Sequence, residues 1–197
     1  TDSLVGSEMC IRDSSNNGLL STVAYQKEGE DPQYALEGSV SIAGAAVQWL
    51  RDNLNLIENS EDIESLAMSV KDNGDVYFVP AFSGLFSPHW DETARGVLVG
   101  LSRFSNKSHI ARAVLESVAY QSNELLESME KDIGTTFDTV NVDGGMVVNN
   151  LLMQFQSDIF DKKVTSQKIN EITALGAGAA GYPVSYTHLR AHETVSD

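Results

Sequence analysis

Val142-Asp143-Gly144-Gly145-Met146-Val147-Val148-Asn149-Asn150 is the stretch on which the fold turns. An apolar, β-branched approach runs into two glycines and leaves in a segment of helical period. Glycines let a backbone come close to a ligand, and the free N–H groups at a helix start favour a phosphate. Asn149 follows Gly145 by four residues, about one helical turn, so its amide could meet the same ligand. The same residues also describe a tight strand–helix turn with Asn149 as the helix cap, and spacing alone leaves both readings open. The stretch has neither the GxxxxGK[ST] nor the GxGxxG pattern, so those phosphate loops are unsupported.

Working outward, Thr139 to Val142 reads as a buried strand, Asn149 to Phe160 as a helix, Lys163 to Ser166 as a further strand and Ile172 to Gly181 as a small-residue helix. Upstream, His109 to Lys131 is the strongest helix, with Ile110, Val114, Val118, Leu125 and Met129 near one stripe. Gly96 to Leu101 and Val76 to Pro80 are short apolar runs flanking an irregular Gly, Pro and aromatic loop, Ala81 to Arg95. Ile63 to Val70 reads as a connecting helix. Ile42 to Leu54 is a helix with Ile42, Ala46, Trp49 and Leu50 on one face and Ser41 as its N-cap. Residues 19–26 and 34–40 form a hairpin across the polar turn Lys27 to Gln33. The alternation makes the class α/β, with a hairpin first.

A second pair repeats the one-turn spacing: Gly44 and Gln48, near the start of a helix. By itself it fits helix packing better than ligand binding. His89-Trp90-Asp91 can be a catalytic cluster or a structural loop packed by Phe82, Phe86 and Trp90, and the absence of a nearby nucleophile or second base favours the loop. His109 is expected to cap the long helix, and Arg112 with Glu116 to form a helix-surface pair. Glu124, Glu127, Glu130 and Asp132 read as a solvated face rather than a metal site.

The chain has 197 residues, 42% apolar and 21% charged, ordinary for a soluble globular domain. A net charge of −15 opposes general nucleic-acid binding, and no apolar run reaches the length of a membrane helix. The single cysteine, Cys10, excludes an internal disulfide and a cysteine-rich zinc site. Both ends lack period, cap and alternation. SLVGSEMCIRDS (residues 3–14) and VSYTHLRAHET (residues 184–194) are translations of one DNA word and of its reverse complement, and that word resembles a transposon adapter used in sequencing libraries. Residues 1–14 and 184–197 are therefore expected to be adapter-derived tails around a truncated native segment, 15–183. Cys10, His188 and His192 then leave the inventory of native residues.

Gly96-Val97-Leu98-Val99-Gly100-Leu101, then after seven residues His109-Ile110, then Ala113-Val114-Leu115-Glu116, resembles the C-terminal signature of the FGGY carbohydrate kinases. Residues 34–54, 76–101, 142–159 and 172–181 look closer to the glycerol kinases of that family than to its xylulose, gluconate or ribulose kinases. The resemblance covers residues 15–182. It implies an actin-like ATPase (ribonuclease H-like) fold, with a mixed sheet flanked by helices, as the incomplete second domain of a two-domain kinase. It implies a parent enzyme that phosphorylates glycerol to sn-glycerol 3-phosphate with ATP and Mg²⁺, in a cytoplasmic homo-oligomer. Carried over by position, Gly44, Gln48, Gly145 and Asn149 match the family's nucleotide contacts, which reverses the packing reading of both glycine pairs. The family's general-base aspartate, its glycerol contacts and its Gly-Thr phosphate loops have no match here. The chain alone is therefore expected to be inactive, with no catalytic or metal residue of its own. A sibling polyol or sugar kinase, or a non-catalytic actin-like nucleotide module, is the competing expectation.

Overall fold

The computed structural model describes residues 15–26, 29–166 and 172–181. One helix organises them. Its start is written in local chemistry: Asn106 Oδ1 accepts from the N–H groups of Ser108 (2.9 Å) and His109 (3.4 Å), while His109 Nδ1 accepts from Asn106 N–H (3.2 Å). Lys107–Ile133, here the third helix (α3), then runs 27 residues until Gly134 closes it by donating to Glu130 O at 2.8 Å. Ahead of it come α1 (Gly44–Asp52) and α2 (Asp62–Met68), and after it α4 (Asn150–Phe160) and α5 (Ile172–Gly181). Ala111, Val114 and Leu115 of α3 meet Ala46, Val47 and Leu50 of α1, Ile63 and Ala67 of α2, and the buried Val76 and Phe78. Trp49 stacks on Phe78 (centroids 5.5 Å apart) and Phe82 closes the trio. Each fully buried leucine here, such as Leu50 and Leu115, contributes about 1.5–3 kcal/mol of transfer free energy. A smaller cluster of Val118, Ala119 and Leu152 joins α3 to α4.

Among the described residues the strands form three two-stranded sheets. β1 (Leu20–Tyr25) and β2 (Gln33–Glu37) pair antiparallel from Leu20↔Glu37 to Val23↔Tyr34, with a register shift before Tyr25↔Gln33. β3 (Tyr77–Val79) and β4 (Val97–Val99) pair antiparallel, Tyr77 opposite Val99. β5 (Thr139–Val142) and β6 (Lys163–Ser166) pair parallel, with α4 as the crossover that parallel strands require. The expected hairpin is present, although Lys27 and Glu28 of its turn lie outside the described residues, as do both adapter-like ends. The α/β class and its mixed strand directions hold. The mixture is spread over three ribbons rather than one sheet. Gly100 explains one feature of the signature: at φ +80°, a Cβ there would lie 1.8 Å from Asp75 O, so only glycine lets β4 leave the sheet against the loop before β3.

Several local expectations are corrected. Ser41 does not cap α1. Ala43 holds that position without a side-chain bond, because the Ser41 hydroxyl donates instead to Gly84 O at 2.9 Å. His109 lies inside α3 as the reciprocal partner of the cap, which is Asn106. β5 is not buried: Thr139 and Asn141 are exposed. Arg112 and Glu116 are not a surface pair. They meet at 2.8 Å with the glutamate buried, and its other oxygen accepts from Asn73 Nδ2 at 2.9 Å. The acidic face of α3 is engaged rather than merely solvated: Glu124 faces His89 (2.9 Å), Glu127 faces Lys131 (3.6 Å), Glu130 binds Lys162 (2.8 Å) and Asp132 accepts from Ser15 and Asn17.

Candidate functional site

The chain leaves β5 at Val142 and does not enter α4 directly. Gly144 takes φ +90°, and Gly145–Val148 then make a short 3₁₀ turn ending at Asn149. Asn149 is the cap of α4. Its Oδ1 accepts from Leu152 N–H at 2.8 Å, and the residue is only 8% exposed. A second N–H of that helix start, Leu151, is taken by Glu64 Oε1 of α2 at 3.0 Å. Two N–H groups in the first turn of α4, those of Leu151 and Leu152, are thus already bonded within the protein, which leaves fewer for a phosphate. What Asn149 retains for a ligand is its amide nitrogen.

Gly44, Gln48, Gly145 and Asn149 come together. All four line one cleft of about 320 Å³, with Val47, Ser60, Glu61, Ile63, Glu64, Met146 and Val148. That volume is at the lower end of small-molecule sites, which span roughly 300–1,000 Å³. The cleft has three walls: the first turn of α1 from Gly44 to Gln48, the entry and first turn of α2, and the 3₁₀ turn. At its glycine end neither α1 nor the 3₁₀ turn has a side-chain cap. A Cβ at Gly145 would meet nothing within 4 Å. The backbone is thus laid bare to the cleft, the condition a close ligand contact needs. Opposite, Glu61 and Glu64 make the α2 end acidic.

Met146 separates this cleft from an apolar cavity behind it. Its Sδ sits 3.7 Å from where a Gly44 Cβ would project, and it packs on both core clusters. The rear cavity, about 460 Å³, is walled by Val118, Val142, Val147, Leu152 and Met153 and holds the buried Gln156, whose Oε1 has no partner among the described residues. Glu64 and Gln156 were both missed from sequence. Glu64 carries no motif, and Gln156 reads as an ordinary helix residue.

The other candidates disperse. His89 faces Glu124, Trp90 Nε1 donates to Gly18 O at 2.8 Å, and Asp91 closes its own turn. Thr93, through its hydroxyl and then its N–H, and Ala94 N–H hold the Asp91 carboxyl below the usual carboxylate range, as expected of a turn-forming acid. Three neighbouring side chains with three separate partners make a loop scaffold, not one reacting centre. Among the described residues there is no grouping of three His, Cys, Asp or Glu suited to a metal ion, and no helix is long and apolar enough to cross a membrane.

A profile of the FGGY family of carbohydrate kinases, C-terminal domain, matches residues 3–182. A glycerol kinase of Brucella anthropi is 63% identical over 173 residues, which is 87% of this chain and 35% of that protein. A glycerol kinase of Methylobacterium radiotolerans is 56% identical over 173 residues. The chain thus spans about a third of the length of these curated relatives, 35% and 34%. Among solved structures, a Plasmodium falciparum glycerol kinase with ADP superposes with a TM-score of 0.78 at 38% identity, covering 88% of this chain and 35% of the other. A xylulose kinase from Lactobacillus acidophilus, at TM-score 0.66 and 22% identity, shares the fold.

Proposed function

The chain belongs to the FGGY family of carbohydrate kinases, and from that premise we propose that it is the nucleotide-holding part of a glycerol kinase. The observation that carries this reading is the convergence of Gly44, Gln48, Gly145 and Asn149 on one cleft, with Gly44 and Gly145 lying 101 positions apart in sequence. The glycine end suits the phosphates of ATP or ADP, with the Asn149 and Gln48 amides as hydrogen-bonding groups for the rest of the nucleotide. Mg²⁺ would arrive on those phosphates and neutralise charge as the γ-phosphoryl group moves. The acceptor is glycerol by likeness to the glycerol kinases of Brucella anthropi and Methylobacterium radiotolerans. The parent is a cytoplasmic homo-oligomer, without nucleic-acid or membrane partners.

Phosphoryl transfer rests on positioning and charge stabilisation around the γ-phosphate. No residue of this chain is assigned as its general base, so the 197-residue chain phosphorylates no glycerol by itself. Turnover above a control, in an assay coupled to ADP release, would refute that. The site is tested by titrating ADP into the chain and following amide resonances. Binding weaker than micromolar is expected, centred on Gly44, Gln48, Gly145 and Asn149. Gly145→Ala adds a methyl to open space, so it should fold normally and lose ADP. If G145A binds ADP like the parent chain, the cleft is not the site.

We also propose that residues 1–14 and 184–197 are adapter-encoded, supported by the two-ended translation of one DNA word. The family span beginning at residue 3 runs against this. Amplifying the locus from source DNA decides it, since native codons at either end would overturn the proposal.

A further inference from the structure

The three walls of the cleft belong to different elements, and single side-chain bonds tie them to one another and to the neighbouring helices. Arg51 Nη1 at the end of α1 donates to Ser60 Oγ at the entry of α2, 3.1 Å. Gln121 Nε2 of α3 donates to Ile42 O ahead of α1, 3.2 Å. Glu64 Oε1 of α2 accepts from Leu151 N–H in the first turn of α4, 3.0 Å, across 87 positions of sequence. Among the described residues this last bond is the one hydrogen bond between α2 and α4. It lands two residues beyond Asn149, on the helix that Asn149 caps.

We infer that Glu64 is a positioning residue for the nucleotide site: it sets the distance between the α2 wall and the Asn149 wall. A carboxylate on a helix-start N–H is a charge-assisted bond reinforced by the helix dipole, so it resists stretching more than a neutral contact. Ile63 and Ala67, on either side of Glu64 in α2, are buried in the core and fix that helix rotationally. The carboxylate therefore fixes where α4, and with it the Asn149 amide, stands relative to Gln48. Small displacements of a ligand-positioning group carry large losses of affinity or rate. This inference rests on the nucleotide reading of the cleft.

The test uses the 197-residue chain with Glu64→Ala and Glu64→Gln, reading the Leu151 amide proton (shift and exchange rate) and the ADP dissociation constant. E64A should move the Leu151 resonance upfield, speed its exchange and weaken ADP about tenfold, the scale of a lost charge-assisted bond. E64Q keeps an acceptor in place, so it should hold the Leu151 shift and exchange within about twofold of the parent chain, and with one negative charge fewer in the cleft it should bind ADP no more weakly. The inference is overturned if E64A alters Leu151 and leaves ADP affinity unchanged, or leaves Leu151 itself unchanged. It is equally overturned if E64Q loses ADP with Leu151 intact, which would make Glu64 a direct ligand contact. A parent chain that binds no ADP while Leu151 still reports its bond sinks the nucleotide reading, and this inference with it.

Discussion

The two halves of α3 are held by different physics. From Ser108 to Ala119 nearly every residue is buried, and Ala111, Val114 and Leu115 reach about zero exposure under α1 and α2. From Tyr120 to Ile133 only Ser128 is buried, and the helix is tied down by polar contacts to its carboxylates: His89 to Glu124, Lys162 to Glu130, and Ser15 and Asn17 to Asp132. One continuous helix thus serves as the core beneath the cleft at one end and as a polar anchor for the chain's outlying ribbons at the other. Apolar burial carries no titrating group, whereas exposed ion pairs titrate and are screened; the first half keeps one pair, Arg112–Glu116, out of solvent.

The largest break expected in this contrast is Leu115→Ala. A leucine at 1% exposure, packed between two helices, leaves a cavity, and the loss should be about 2–5 kcal/mol in urea unfolding. A loss below about 1 kcal/mol would mean the first half is not the core it looks like. Next comes Asn149, where cap and ligand roles separate. Asn149→Ala should cost about 1 kcal/mol by removing the Leu152 cap, while Asn149→Asp, itself a good cap, should keep stability and lose ADP. Equal ADP binding by both aspartate and asparagine would leave Asn149 structural only.

Acid should act on the other half. The Glu130 carboxyl is held below its ordinary value of 4.5, first by the Lys162 hydrogen bond and then by Phe137 N–H. Burial pulls Asp132 upward, but bonds from Ser15, Asn17 and Asn16 outweigh it and leave this group lowered too. A folded-state pKa below the unfolded one stabilises above the unfolded value, and that stability drains away as pH falls through the folded value. Amide protection, taken relative to intrinsic exchange at each pH, should therefore fall between Tyr120 and Ile133 below about pH 4.5 before it does between Ser108 and Ala119, and Glu130→Gln should flatten that dependence. A uniform fall in protection along α3 would erase the contrast. The smallest effect belongs to His89→Ala: its pair with Glu124 is nearly half exposed on both sides, 45% and 47%, so melting should shift by less than about 0.5 kcal/mol.

A further contrast concerns what is covered. One face of the β3–β4 ribbon presents Tyr77 (46%), Val79 (41%), Val97 (46%) and Val99 (48%), and Phe104 nearby in sequence is 88% exposed. Contiguous apolar surface of this kind favours association, so the chain by itself should aggregate at raised concentration. A monodisperse, cooperatively melting monomer in light scattering and calorimetry would contradict that.

Elements were legible wherever period and punctuation are local. The long helix, the hairpin, the helices at α1 and α4 and the strand–Gly-Gly–helix passage all follow from spacing, and so does Asn149 as a cap, left open beside its ligand role. What spacing could not supply was partner identity. Ser41 has the right place for a cap, but Gly84 O, 43 residues away, takes its hydroxyl. Arg112 and Glu116 were legible as a pair but not as a buried one, since burial is decided by Asn73 and the elements packed over α3. Glu64 was invisible because its partner lies across the fold.

The sequence by itself determined the α/β elements, the family signature and the two glycine-led pairs, because those rest on contacts between near neighbours and on backbone freedom. Only the tertiary structure decided that Gly44, Gln48, Gly145 and Asn149 share one cleft, that the α4 start is already occupied by Asn149 and Glu64, and which half of α3 is core. Those are consequences of how separate elements pack around one helix, and packing between distant segments has no period for a sequence to display.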